Sequence, residues 1–256
     1  MQSDVQKRRA ERRKKIRRRR LKIAFIFFLI IAVVIFAIMC FTVLFPIKRI
    51  SVSGSEIYSK AEIIKASGLT TDDNLFVVSE DKIEENIRKS LPYIDSVSLK
   101  RNLPDAVALT VTDAKEFACY KTGDTYSIVS EKGYVLSSQP ECPENVFEII
   151  TSGVSANISE ILIYDNAAEE ELVKELITIL SEKEINIDTI DVTNILDISI
   201  SIEGKFTVSL GTSDYLSEKI AHLYSMINSI GDRKGKINLS MWTPNNTQGS
   251  FVEEYQ

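Results

Sequence analysis

Residues Ile23–Phe45 read IAFIFFLIIAVVIFAIMCFTVLF, 23 positions without a charge and with Thr42 as the only polar side chain. A helix rising about 1.5 Å per residue carries that run to about 34 Å, just beyond a hydrocarbon core of about 30 Å. A core helix of a water-soluble protein shows polar positions at helical spacing, because one of its faces meets solvent. Here the apolar residues run all the way round. The stretch predicts a single transmembrane helix, and that commits everything after it to one side of a bilayer.

The flanks predict which side. Residues 1–22 hold 12 Lys/Arg against Asp4 and Glu11, a sum of +10. After the apolar run only Lys48 and Arg49 precede the first acid, Glu56. Basic residues close to a span resist translocation, so the N-terminus is expected in the cytoplasm and the rest outside. Arg17, Arg18, Arg19, Arg20 and Lys22 are the candidates for setting topology and touching anionic lipid. The apolar run exceeds the usual length of a cleaved signal's core, and no small-x-small site precedes Pro46. An uncleaved anchor is the expectation.

The total charge of −5 hides a split: without the +10 of the tail, the remainder carries −15. An acidic exterior portion argues against binding polyanions or nucleic acid through bulk charge. About 200 residues after the anchor suffice for one or two domains with cores. Cys40 lies inside the apolar run. Cys119 and Cys142 could pair in an oxidising exterior, but two unpaired thiols are the favoured reading. Their spacing matches no metal motif, and a single His makes zinc improbable.

After Pro46 the elements follow in order. Ile47–Ser53 is a short extended run. Ser59-Lys60-Ala61-Glu62 is a capping box opening a helix that Gly68 ends. Ser79 opens a second helix, with Ile83, Ile87 and Leu91 on one face and Pro92 as the stop. Strands are predicted at Tyr93–Arg101, with a slip in the alternation at Ser96, and at Ala106–Val111. Two helices on one face of a three-stranded sheet satisfy the layer rule.

From Lys115 the pattern becomes β-rich. A hairpin is expected around Lys121-Thr122-Gly123-Asp124, a turn at Glu131-Lys132-Gly133, a strand at Tyr134–Leu136, a loop over Ser138–Asn145 and a strand at Val146–Ile150. Asn166-Ala167-Ala168-Glu169 opens a helix to about Lys183. Strands at Ile187–Val192, Ile195–Ile202 and Lys205–Leu210 follow, then a helix capped by Ser213 with a stripe from Leu216 to Ile230. Lys236–Met241 is the last expected strand, with Ile237, Leu239 and Met241 on one side and Lys236, Asn238 and Ser240 on the other. Beyond Pro244 the composition reads as a loose tail.

A catalytic constellation does not emerge. An anchored cysteine transpeptidase of the sortase type would need His, then Cys, then Arg. Here His222 follows both exterior cysteines, and Arg233 is the only later arginine. There is no Gly-x-Ser-x-Gly elbow, no Ser-x-x-Lys box with its partners and no phosphate loop. Ser213-Asp214 reads as a helix cap. The acidic runs Glu84/Glu85 and Glu169–Glu171 read as solvated helix faces. No cofactor is expected.

The stretch Phe45-Pro46-Ile47-Lys48-Arg49-Ile50-Ser51-Val52-Ser53-Gly54, then Asn74-Leu75-Phe76, then Leu91–Asp105 resembles the POTRA domain of the bacterial division proteins FtsQ and DivIB. Ile128–Leu136, Gly204–Gly211 with Lys219, and Gly235–Leu239 are similar to later parts of that family. Asp113, Ser130 and Asn238 depart from its usual Glu, Asp and Asp. The resemblance implies an α+β protein: a basic tail (1–22), a transmembrane helix (23–45), a βααββ POTRA domain (46–113), a β-rich domain with two helices on a sheet (114–243) and a flexible tail (244–256). It further implies a non-enzymatic divisome scaffold in septum formation. Its expected partners are FtsB/DivIC-like and FtsL-like proteins, and through them the septal peptidoglycan synthase. A membrane-anchored cell-wall enzyme or a wall-sensing module is the alternative. In this family the partner binds near the last strands, which maps to an edge at Lys236, Ile237, Asn238, Leu239, Ser240, Met241 and Trp242. Trp242, the only Trp, reads equally as a binding hot spot or a core cover.

Overall fold

The computed structural model describes residues 22, 25–36, 45–181 and 186–254. Residues 25–36 are helical (α1), and every one of them is exposed. No helix among the described residues is long and apolar enough to cross a membrane. The other residues of the expected span before Phe45 lie outside the described set, as do Arg17, Arg18, Arg19 and Arg20. Lys22 is helical and exposed.

The next unit is built as its local signals require. Strand β1 (Arg49–Ser53) leads to helix α2 (Lys60–Ser67). Ser59 and Glu62 form the reciprocal capping box, and Gly68 closes the helix in a left-handed conformation. Helix α3 (Glu80–Ser90) buries Ile83 and Ile87. Strands β2 (Ile94–Asn102) and β3 (Ala106–Asp113) complete a sheet in the order β1-β3-β2. β3 runs parallel to β1 and antiparallel to β2. The alternation slip at Ser96 is a bulge: the β2–β3 register shifts between Ile94 and Ser96, and Ile94, Val97 and Leu99 all still reach the core. Thus βααββ is the observed order, and its core holds Ile47, Ile63, Leu75, Ile87, Leu109 and their neighbours.

Only Ala114 and Lys115 separate β3 from β4 (Glu116–Thr122). β4 enters a second sheet with β5 (Thr125–Ser130), β6 (Val135–Gln139), β7 (Phe147–Ile150), β10 (Ile187–Asp191), β11 (Ile198–Ile202), β12 (Phe206–Gly211), β13 (Gly235–Asn238) and β14 (Ser250–Glu253). The spatial order is β14-β13-β12-β11-β10-β7-β4-β5-β6. Helices α4 (Ala167–Ser181) and α5 (Leu216–Ile230) bury Leu172, Leu176, Leu180, Ile220 and Leu223 against the inward-facing β side chains. A separate two-stranded ladder, β8 (Val154–Ser155) with β9 (Ile163–Tyr164), packs Val154 and Tyr164 on the same core.

Four expectations are corrected. The loop expected at Ser138–Asn145 holds the end of β6, and its Cys142 is disulfide-bonded to Cys119, with Cα atoms 5.9 Å apart. The favoured reading of two thiols fails because β4 and the returning loop bring the pair within bonding reach. Ser213 does not cap α5. The chain turns through Tyr215 at φ 57, and the helix begins at Leu216. The expected loose tail contains β14, which pairs with β13 from Gly235↔Glu253 to Asn238↔Ser250.

Candidate partner-binding edge

Antiparallel addition of β14 places the rim of the sheet one strand beyond Lys236–Met241. That expected edge is therefore not an edge: β13 is flanked by β12 on one side and β14 on the other. The close approach depends on Gly235. A Cβ there would run into the Val252 carbonyl and the Phe251 ring. Phe251 also lies edge-on to Phe206 and under the Arg233 guanidinium, 5.3 Å from its ring centre. Lys236 Nζ reaches Glu254 Oε1 at 3.2 Å across the strand pair.

The expected in–out alternation holds for Ile237 and Leu239, 1% and 0% exposed, and then breaks. Asn238 Oδ1 accepts from the Ser240 amide at 2.9 Å and the Ser240 hydroxyl at 2.7 Å. That side-chain turn diverts the chain out of the strand. Met241 swings into solvent at 78% exposure, whereas Trp242 turns inward at 7%. Trp242 thus covers the core, beside His222 at 6.0 Å between ring centres. Thr243 and Asn246 then exchange backbone hydrogen bonds, both 2.9 Å, and reverse the chain toward β14.

The floor of this end of the sheet is held by α5. Lys219 is 1% exposed, and its Nζ donates to the Leu210 carbonyl at 2.7 Å and the Thr212 carbonyl at 2.9 Å. Burial pushes the Lys219 pKa down, with Asp214 pulling the other way. Gly211, at φ 69, lets the chain pass so close to Ser240 that a Cβ would collide with the Ser240 backbone.

Among the described residues no strand pairs with the outer rim of β14. The Glu254 amide donates to the Lys234 carbonyl at 3.0 Å. Antiparallel alternation then directs the amides and carbonyls of Phe251 and Glu253 away from β13. Val252, 62% exposed, and Met241 supply apolar surface nearby. The opposite rim, β6, is partly occupied: the Val135 amide donates to the Glu160 carbonyl at 2.9 Å, and the Ser159 amide to the Val135 carbonyl at 2.8 Å. On the smaller sheet, Glu80 accepts from the Leu99 amide at 3.1 Å, which blunts the β2 rim. A row of unpaired donors and acceptors flanked by apolar side chains is a template for a further strand. The composition signalled a tail here; only the short alternation Ser250-Phe251-Val252-Glu253 pointed to a strand.

No group of three metal-capable side chains stands together among the described residues. The Cys119–Cys142 bond ties up both of these sulfurs, so neither is a thiolate nucleophile in this state.

The fold and its rim define a POTRA unit joined to a β domain that offers a strand-pairing edge. Residues 45–113 match the family model of the FtsQ-type POTRA domain. The chain is 27% identical over 201 residues to the cell division protein DivIB of Clostridium acetobutylicum, covering 77% of this chain and 80% of that protein. It is 25% identical over 196 residues to the cell division protein FtsQ of Streptomyces coelicolor, covering 73% and 72%. With DivIB of Clostridium botulinum strain Hall it shares 28% over 205 residues, 78% of each. Residues 45–113 thus form an FtsQ-type POTRA domain, and over most of its length the chain is similar to the FtsQ and DivIB division proteins.

Proposed function

We propose that the protein acts in bacterial cell division as a non-enzymatic, membrane-anchored scaffold at the septum. The relatives' shared designation as cell division proteins supports the process. In this reading Ile23–Phe45 spans the membrane, the basic tail stays in the cytoplasm, and the POTRA and β domains stand outside. An FtsB/DivIC-like partner, accompanied by an FtsL-like one, adds a strand to β14 and so connects the protein to septal peptidoglycan synthesis. The observation that carries this is the unpaired rim of Phe251 and Glu253 beside exposed Val252 and Met241.

Replacement Glu253→Pro removes one outward amide while leaving the inward ladder atoms of Val252 and Glu254 in place. It is expected to weaken partner binding by about tenfold or more, since an edge hydrogen bond is lost and the ring obstructs the incoming strand. Cells relying on the variant should form filaments with few septa. Unchanged partner affinity with an unchanged melting temperature would remove β14 as the docking strand.

A further inference from the structure

The POTRA unit has two poles, and one of them lies where the apolar segment ends. β1 leaves Phe45 and runs away from it, β2 returns, and the loops at 69–79 and 102–105 therefore sit beside Phe45. The contacts agree. The Leu75 amide donates to the Phe45 carbonyl at 2.9 Å and the Ile47 amide to the Asp73 carbonyl at 2.8 Å, while the rings of Phe45 and Phe76 stack edge-on at 5.1 Å.

The loop at 74–78 is built, not slack. Asn74 Oδ1 accepts from the Phe76 amide at 2.9 Å and bends the chain. Arg101 straps it from below, donating from Nε to the Leu75 carbonyl at 2.9 Å and from Nη2 to the Val78 carbonyl at 2.7 Å. The result buries Leu75 completely and holds Phe76 and Val77 outward, 46% and 71% exposed. Leu103, in the neighbouring turn, is 65% exposed. A rigid loop that keeps large apolar side chains in water calls for a cover.

We propose that this pole is a hydrophobic foot, with Phe76, Val77 and Leu103 resting in the boundary between headgroups and acyl chains of the bilayer from which the chain emerges. The inference rests on the membrane reading of Ile23–Phe45, and Phe45 supplies the argument for a bilayer over a protein occupant. It is the last residue of that apolar run and is stacked on the foot, so no spacer separates the two. Charge does not oppose the placement: Lys48, Arg49 and Arg101 ring the pole, and of Asp72, Asp73 and Asp105 the last is paired with Arg49 at 2.9 Å. Basic side chains at such a rim reach headgroups while apolar ones go deeper. The foot would fix the tilt of the POTRA unit on the membrane, which a flexible tether could not do.

The test is acyl-chain quenching of tryptophan in the full chain, reconstituted in vesicles of phosphatidylcholine brominated on its acyl chains with a minority of phosphatidylglycerol. Val77→Trp samples the foot, Ile57→Trp the far pole and Phe36→Trp the apolar segment; Trp242, common to all, is subtracted using the unsubstituted protein. The foot predicts that Val77→Trp is quenched at least about threefold more than Ile57→Trp. Equal quenching at positions 77 and 57, with strong quenching at 36, overturns the foot and leaves the anchor standing. Absence of quenching at 36 removes the anchor and the foot together.

Discussion

Lys219 carries its amine to full burial without a carboxylate contact, satisfied by the Leu210 and Thr212 carbonyls. Its folded pKa lies below its unfolded one because burial penalises the charged form. Between those two values the unfolded chain holds the extra proton, so this site's contribution to stability rises with pH. Melting curves of the protein and Lys219→Met should therefore diverge in favour of the lysine as pH climbs toward the lysine range; a gap independent of pH would contradict the assignment. Gly235→Ala should detach β14, seen as faster exchange of the Val252 and Glu254 amides. The three departures from family residues find physical reasons. Asn238 makes the same side-chain turn an Asp makes. Ser130 Oγ accepts from the Tyr134 amide at 3.3 Å. Asp113 accepts from the Ser55 hydroxyl at 2.6 Å and the Glu56 amide at 2.7 Å, gathering the start of the α2 loop. The direction of Trp242 depends on where the Asn238 turn falls, and periodicity does not report that.

At the scale of elements, the POTRA strands and helices were legible because each carries its own punctuation: the Ser59 box, Gly68, Pro92 and the Ser96 slip. The short ladders were not. β8 and β9 have two residues each, and β14 is held by a Gly235 contact far away in sequence. The disulfide was equally hidden, since spacing alone does not bring β4 to the 140–145 loop. It closes a 23-residue separation. Replacing both cysteines by serine should lower unfolding free energy by about 3 kcal/mol, read from denaturant midpoints. A change below about 0.5 kcal/mol would mean that the bond is dispensable to the β domain.

Across the whole molecule, the POTRA unit and the β domain meet through a polar seam. The Arg88 guanidinium lies 4.3 Å from the Tyr134 ring centre and is ion-paired to Glu84. Lys132 reaches Asp95 at 2.7 Å, and the Tyr93 hydroxyl donates to Glu116 at 2.8 Å. These contacts fix how the POTRA unit and the β domain are oriented on each other. Arg88→Ala should raise trypsin cleavage after Lys115, between β3 and β4, several-fold; unaltered cleavage would show that the seam is maintained by its other contacts. The proposed pairing of a division partner with β14 is decided by amide hydrogen exchange of the full chain with and without a DivIC-like partner. New protection is expected at the outward amides of Phe251 and Glu253; protection that falls elsewhere and leaves those two amides unchanged would rule the pairing out.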